Sequence, residues 1–293
     1  MKVIDSIVSQ ALSLSFEVFP PKTDAAFDSV LSAAGEIADL RPSFISVTYG
    51  AGGGGSRYTV EIARALRRGS GTEVLAHLTC VGADRQTIRD YLKTLKDDGI
   101  HNIMALRGDL PAGTRPGDMR GSAYPHAADL IREIRASGDF CVGAACYPEV
   151  HPESASQAED LRRLREKVEA GADFLTTQMF FDNDVFYNFM YKLREAGIAV
   201  PVVPGIMPIT SPTQVERARK LSGSFMPRRF TNLVDHFGSS SEATKQAGIL
   251  YAADQIIDLF ANGIRHVHIY TMNKPDVAAA IQGHLSQMLG RTF

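Results

Sequence analysis

Cysteine is scarce: three in 293 residues (Cys80, Cys141 and Cys146), with no CxxC pair. So few, odd in number, they give no disulfide framework and point to a reducing, cytoplasmic compartment. An excess of one charge is also missing. Lys and Arg number 31 against 33 Asp and Glu, a formal net charge of −2, and the basic residues are scattered. That argues against nucleic acid or an anionic membrane as the main partner. The most apolar run, "AVPVVPGIMPI", is short and broken by three prolines, so no membrane span is expected. The N-terminal "MKVIDSIVSQALSLSF" has neither a long apolar segment nor a basic cluster, and no secretory signal is expected there. Low complexity is confined to "GAGGGGS", and no Pro/Ser-rich linker divides the chain. One domain over residues 1–293 is the expectation.

What is present is a hydrophobic content of 44%, enough for a sizeable core. Apolar β-rich runs fall at 14–19, 44–50, 73–80, 102–107, 141–147, 174–181, 200–207 and 266–272. Helical spacing fills most of the intervals. "DRQTIRDYLKTLKDDG" places Ile88, Tyr91, Leu92 and Leu95 on one stripe, with Gly99 as a stop. "AEDLRRLREKVEAGA" does the same with Leu161, Leu164 and Val168. The longer interval, 222–265, is expected to hold an extra helical excursion before the last strand. Eight strand–helix repeats predict a (β/α)8 TIM barrel, with a doubly wound open sheet as the alternative. Near-continuous apolar strands such as "FISVTYG" suit a parallel sheet covered on both sides.

Gly50, Gly52 and Gly55 spell G-x-G-x-x-G between a strand and a helix, as in a dinucleotide-binding turn. The next strand, "EVLAHLTC", has no terminal acid for a ribose hydroxyl, and a run of four glycines describes a loop over an active site better. Two alternations raise a metal: Glu149, His151 and Glu153 in "YPEVHPE", and His266 with His268 in "HVHIY". Pro148 and Pro152 kink the first, and no HExxH motif or Cys pair supports it, so no metal is expected.

In a barrel, the C-terminal strand ends carry the active site. Here those ends supply Glu17, Thr48, His77, Arg107 with Asp109, Tyr147 with His151, and Gln178. Glu17 stands out: "LSFEVFPPK" reads as a buried strand ended by Pro20 and Pro21, with one carboxylate inside it. A carboxylic acid held in an apolar strand has a raised pKa and can stay protonated near neutral pH, as a proton donor must. The bland alternative is a Glu17 ion-paired to a neighbouring strand.

"SFEVFPPK", "FISVTYGAGG", "HLTC", "NIMALRGDLP", "YPEVHPE", "TTQMFFD" and "VPGIMPI" together resemble methylenetetrahydrofolate reductase, in order and spacing, from about Ser15 to Asn273. The resemblance implies a barrel binding FAD. Hydride would pass from NADH or NADPH through the flavin to 5,10-methylenetetrahydrofolate, yielding the 5-methyl product used in methionine synthesis. Position by position, it implies Glu17 as general acid and Asp109 as a carboxylate beside flavin and pterin. Gln178 and Gln214 become folate contacts, and Thr48, His77, Arg107, Tyr147, His151, Asp160 and Lys167 flavin contacts. It further implies a homo-oligomer of the short bacterial type. Two departures lie at "GGSRYT", where an Arg-rich stretch is usual, and at His126, where a tyrosine is common. Other readings stay open: a folate or pterin barrel enzyme without flavin, a metal-dependent aldolase-type barrel, and a non-catalytic flavin- or folate-binding protein.

Overall fold

A computed structural model describes the chain except residues 10, 51–54, 111–112, 114–121 and 291–293. Gly52 of the glycine motif lies outside the described residues. The strands are β1 Ser13–Val18, β2 Ile45–Val47, β3 Val74–Thr79, β4 Asn102–Leu106, β5 Cys141–Cys146, β6 Phe174–Thr177, β7 Val202–Val203, β8 Gly205–Ile206 and β9 His266–Tyr270. All pair in parallel in the order β7-β6-β5-β4-β3-β2-β1-β9-β8. Sequential strands are neighbours and β1 lies against β9, which rules out the doubly wound alternative, whose strand order reverses at a switch point.

The seventh predicted strand, 200–207, is two short ones. Pro204 has no N–H to give a ladder, so the segment divides there. β7 pairs with β6 and β8 with β9, so this one stretch of chain joins the two ends of the sheet and closes the ring. Pro204 still contributes its carbonyl, which accepts from His268 N at 2.9 Å.

The helices run α1 Val3–Ile7, α2 Phe27–Asp39, α3 Gly55–Gly69, α4 Arg85–Asp97, α5 Ala127–Ser137, α6 Gln157–Glu169, α7 Asn183–Glu195, α8 Pro212–Ser222, α9 Arg228–Phe237, α10 Ser241–Ala261 and α11 Pro275–His284. On α4 the predicted stripe Ile88, Tyr91, Leu92 and Leu95 is the buried face. Asp84 caps its start by accepting from Thr87 N, and Gly99 ends it at φ +72°, which a side chain would disfavour. The excursion before the last strand consists of α9 and the long α10. An element the periodicity did not reveal is α1. Its Val3 and Ile7 pack on Phe44, Leu75, Met104, Cys141, Phe174 and Val203, residues at or near the starts of β2–β7, and so plug the N-terminal mouth of the barrel. Among the described residues, no helix is long and apolar enough to cross a membrane.

Candidate active site

Glu17 sits near the end of β1 with its side chain turned into the barrel, 6% exposed. Its neighbours are Ser46 on β2, His77 on β3 and His268 on β9. Ser46 Oγ lies 3.5 Å from Glu17 Oε2, and the imidazole Nε2 atoms of His77 and His268 lie 3.7 and 4.0 Å away. Burial pushes the Glu17 carboxyl up to about 8, partly opposed by the Ser46 hydroxyl. Burial also pulls His77 down to about 4 and His268 well below the usual imidazole range. These directions favour the protonated acid beside neutral imidazoles, and among the described residues the groups within ion-pair distance of Glu17 are those two histidines.

The backbone around the acid is tied to β9. Thr271 Oγ1 donates to the Glu17 carbonyl at 2.5 Å. Asn273 takes the place of a further strand residue: its Oδ1 accepts from Phe19 N at 2.7 Å and its Nδ2 donates to Phe19 O at 2.9 Å. Met272 and Asn273 both adopt positive φ, at 56° and 55°, which turns the chain sharply enough to make these bonds.

A second group lines the ends of β4 to β6. Arg107 forms a bidentate pair with Glu153, at 2.5 and 2.7 Å, rather than with the nearer Asp109, which is exposed. The Tyr147 ring meets His151 edge-on at 4.5 Å. Burial raises the Tyr147 phenol, with Gln178 opposing through a hydrogen bond; Asp109 raises it further, Arg107 lowers it and Asp160 raises it. These five side chains therefore share one electrostatic neighbourhood. Asp160 accepts from His151 N at 3.3 Å and from Ser154 Oγ at 3.3 Å, which fixes the loop after β5. Lys167, seven residues on along α6, donates to the Ala145 carbonyl at 2.8 Å, and burial lowers its ammonium. Gln178 is anchored by its own N–H, donated to Cys146 O at 2.7 Å, and its Oε1 accepts from Met179 N at 2.9 Å. Thr48, half-buried at the end of β2, accepts at its carbonyl from Thr59 Oγ1 at 2.8 Å.

Gln214 belongs to a third group, after β8. Its Oε1 accepts from Thr210 N at 2.7 Å, and Lys274, after β9, donates to Thr210 Oγ1 at 2.6 Å. Sequence spacing gave no signal for Lys274, because its partner is 64 residues away.

The metal alternations resolve otherwise. Glu149 accepts from Phe225 N at 2.8 Å, Glu153 holds Arg107, and His266 and His268 bond to serines of β1 and β2. Among the described residues no group of three His, Cys, Asp or Glu is placed to hold a metal ion. His126 is exposed at the start of α5, where its N–H donates to Asp129 Oδ2 at 3.1 Å. A surface groove of about 1150 Å³ between α9 and α10, lined in part by Phe237, Leu250 and Ile257, shares none of the candidate residues.

Fold and site define a (β/α)8 barrel with a buried carboxylic acid and a set of polar side chains at its C-terminal strand ends. A sequence model of methylenetetrahydrofolate reductase matches residues 2–286. The chain is 35% identical over 270 residues to a 5,10-methylenetetrahydrofolate reductase of Pectobacterium carotovorum, covering 92% of this chain and 89% of that one. It is 34% identical over 274 residues to the Escherichia coli protein of the same name, covering 94% and 90%. A probable methylenetetrahydrofolate reductase (NADH) of Oryza sativa is 36% identical over 296 residues, covering 96% of this chain but only 50% of the rice protein. Among solved structures, an uncharacterized Clostridium thermocellum protein that binds two copies of 5-methyl-5,6,7,8-tetrahydrofolic acid is similar in fold, with TM-score 0.60 and 12% identity over 97% of each chain. A tryptophan synthase α-subunit from Pyrococcus furiosus has TM-score 0.55 and 12% identity, covering 96% of this chain and 99% of that one. The chain belongs to the methylenetetrahydrofolate reductase family, oxidoreductases of folate one-carbon metabolism.

Proposed function

We propose that residues 1–293 form one catalytic domain that reduces 5,10-methylenetetrahydrofolate to 5-methyltetrahydrofolate. Hydride would come from NADH or NADPH by way of bound FAD, in two alternating half-reactions, in the cytoplasm and as a homo-oligomer, feeding methionine synthesis. The observation that carries this reading is Glu17, a carboxylic acid buried near the end of β1, where loss of water raises its pKa. Opening the five-membered ring of the substrate requires a proton on the departing nitrogen, and a general acid with a pKa near the working pH is suited to give it.

The donor set at the strand ends fits a flavin dinucleotide. Arg107, paired with Glu153, and Lys167, bonded to the Ala145 carbonyl, are the basic side chains of this set that a diphosphate would draw on, while Thr48, His77, Tyr147 and His151 offer hydroxyl and imidazole groups. Asp160 keeps the loop bearing His151 in place. FAD, when bound, supplies the hydride-carrying chemistry that no side chain offers. The carboxylate of Asp109 opposes further negative charge beside it by like-charge repulsion. Gln178, its Oε1 held by Met179 N, presents a neutral amide to the mixed donor and acceptor edge of a pterin. Gln214 lies beside Lys274 through Thr210, which matches a ligand that carries carboxylates on its tail.

The protein is expected to take up FAD non-covalently, and its visible absorption should bleach with NADH or NADPH and return when 5,10-methylenetetrahydrofolate is added. Protein that stays colourless in excess FAD would overturn the flavin reading. Flavin that stays oxidised with either nucleotide would indicate a binding protein, and activity lost to chelator an aldolase-type barrel. Gln178→Ala is expected to weaken folate binding about tenfold, the order of one hydrogen bond to a buried partner, with flavin content unchanged. A ligand titration monitored by flavin absorbance measures this. Unchanged affinity would leave the amide only its bond to the Met179 backbone.

A further inference from the structure

His266 and His268 fall outside the chemistry described above, yet they are buried, at 2% and 3% exposure, in the interior of the barrel. The register of β1 with β9 sets Ser13 opposite His266 and Ser15 opposite His268. The side chains form one continuous column. Ser13 Oγ is 2.7 Å from His266 Nδ1, and His266 Nε2 is 2.9 Å from Ser15 Oγ. Ser15 Oγ is 2.7 Å from His268 Nδ1, and His268 Nε2 is 3.1 Å from Ser46 Oγ, the hydroxyl that approaches Glu17. Ser15 and Ser46 are completely buried, whereas Ser13, at the start of β1, is half-exposed. Phe44 lies nearly parallel to both imidazoles, with interplanar angles of 14° and 13°, and fixes the plane of the rings.

A neutral imidazole has one N–H donor and one bare acceptor nitrogen, and a hydroxyl can donate once while accepting. Both histidines are neutral because burial lowers them, His266 to about 3 and His268 further still. Every donor and acceptor in the column is then paired only if all its donors point the same way. Mixed tautomers would set either two donors against Ser15, which can accept both but is left with its own buried O–H unpaired, or two acceptors, one of which stays bare; an unmade bond of this kind costs about 1–3 kcal/mol. The tautomers of His266 and His268 are therefore tied to each other.

We propose that His266 and His268 both carry their proton on Nε2, so that Ser13, Ser15 and the two imidazoles act as positioning residues that aim the Ser46 hydroxyl at Glu17. In this polarity Ser13 donates to His266 Nδ1, His266 Nε2–H to Ser15, Ser15 to His268 Nδ1, His268 Nε2–H to Ser46, and Ser46 to the carboxyl. The opposite polarity would turn the Ser46 hydroxyl toward His268, where it could accept from a protonated Glu17 but would offer no donor to the carboxylate left after proton transfer. The column thus offers a polarised donor to the carboxylate that remains once the acid has given up its proton. Other groups facing Glu17 are the buried His77 from β3, whose imidazole burial lowers, and the half-buried Tyr270 from β9, whose phenol burial raises, so both are neutral. This inference rests on the general-acid reading for its purpose, but not for its test.

The test is spectroscopic. In ¹⁵N-labelled protein as purified, long-range proton–nitrogen correlations at neutral pH should show both histidines as Nε2–H tautomers. One or both found as Nδ1–H, or as imidazolium, would overturn the proposal. In parallel, ¹³C-carboxyl titration of Glu17 should move to higher pH in Ser15→Ala, which cuts the column at its middle. Ser15→Thr, which restores the hydroxyl, should return it toward the wild-type value. A Glu17 titration that is unmoved in Ser15→Ala would overturn the proposal. Ser13→Ala, at the half-exposed end, should give a smaller shift in the same direction and serves where Ser15→Ala does not fold. Neither measurement needs folate or nucleotide, so a wrong substrate reading would leave both unaffected.

Discussion

Glu17→Gln is expected to slow folate reduction by about 10²–10⁴-fold, the usual worth of a general acid, while flavin reduction by NADH or NADPH changes far less. The substitution keeps size and polarity but removes the transferable proton, and only the ring-opening half-reaction requires that proton. Stopped-flow absorbance of the flavin follows the two halves separately. Equal losses in both would assign Glu17 to holding the barrel or the flavin. The wild-type folate half should also decline as pH rises through about 8, where the acid loses its proton, and the variant should lack that limb.

The same substitution should stabilise the fold in alkaline solution. The Glu17 pKa is raised in the folded state, so between the ordinary carboxylate range and about 8 the native chain holds a proton that the unfolded chain releases. Unfolding is then favoured increasingly as pH rises through that window, and below it the two states bind the proton alike. Thermal melts of Glu17→Gln should therefore lie above wild type at pH 8, with the gap closing toward pH 4. A constant gap would mean that burial does not hold this proton.

The second large effect is expected at Gly248, on the buried face of α10. A Cβ there would overlap the carbonyl oxygen of Ile209, a backbone atom with no side-chain freedom to yield. Gly248→Ala should cost about 3 kcal/mol or more, at or beyond the upper end of ordinary overpacking, because helix and strand end must separate. Ile209 directly precedes Thr210, which holds Gln214 and Lys274, so folate affinity should fall as well. Gly35→Ala on α2 meets nothing within 4 Å and is the control, expected to gain about 0.5–1 kcal/mol from helix propensity. Urea unfolding of both variants against wild type decides it. A Gly248→Ala midpoint near that of wild type would show that α10 can shift without strain.

Several features of this site were legible because they are local. The interruption of an apolar strand by Glu17, the prolines behind it and the polar strand ends Thr48, His77, Arg107, Tyr147 and Gln178 can all be read from contiguous residues. Others were not. Alternation places His266 and His268 on one face, but it does not say what stands opposite. Their partners Ser13 and Ser15 are about 250 residues earlier. Asp109 is two positions from Arg107, yet the guanidinium turns to Glu153, 46 residues on, whose carboxylate meets both of its terminal nitrogens. The plug formed by α1 was hidden for a different reason. Five residues are too few for a helical period to register, and the helix persists because the barrel floor buries Val3 and Ile7.

By itself, the sequence determined the alternation of strands and helices, the parallel character of the strands and the presence of an acid where β1 ends. Hydrophobic periodicity and turn chemistry act between residues a few positions apart. Only the tertiary structure decided that β1 closes against β9, that Pro204 divides the seventh strand, and that Glu17 is buried beside Ser46, His77 and His268. Those outcomes depend on which distant groups exclude water and which hydrogen bonds remain for a buried atom, and both are set when the ring closes.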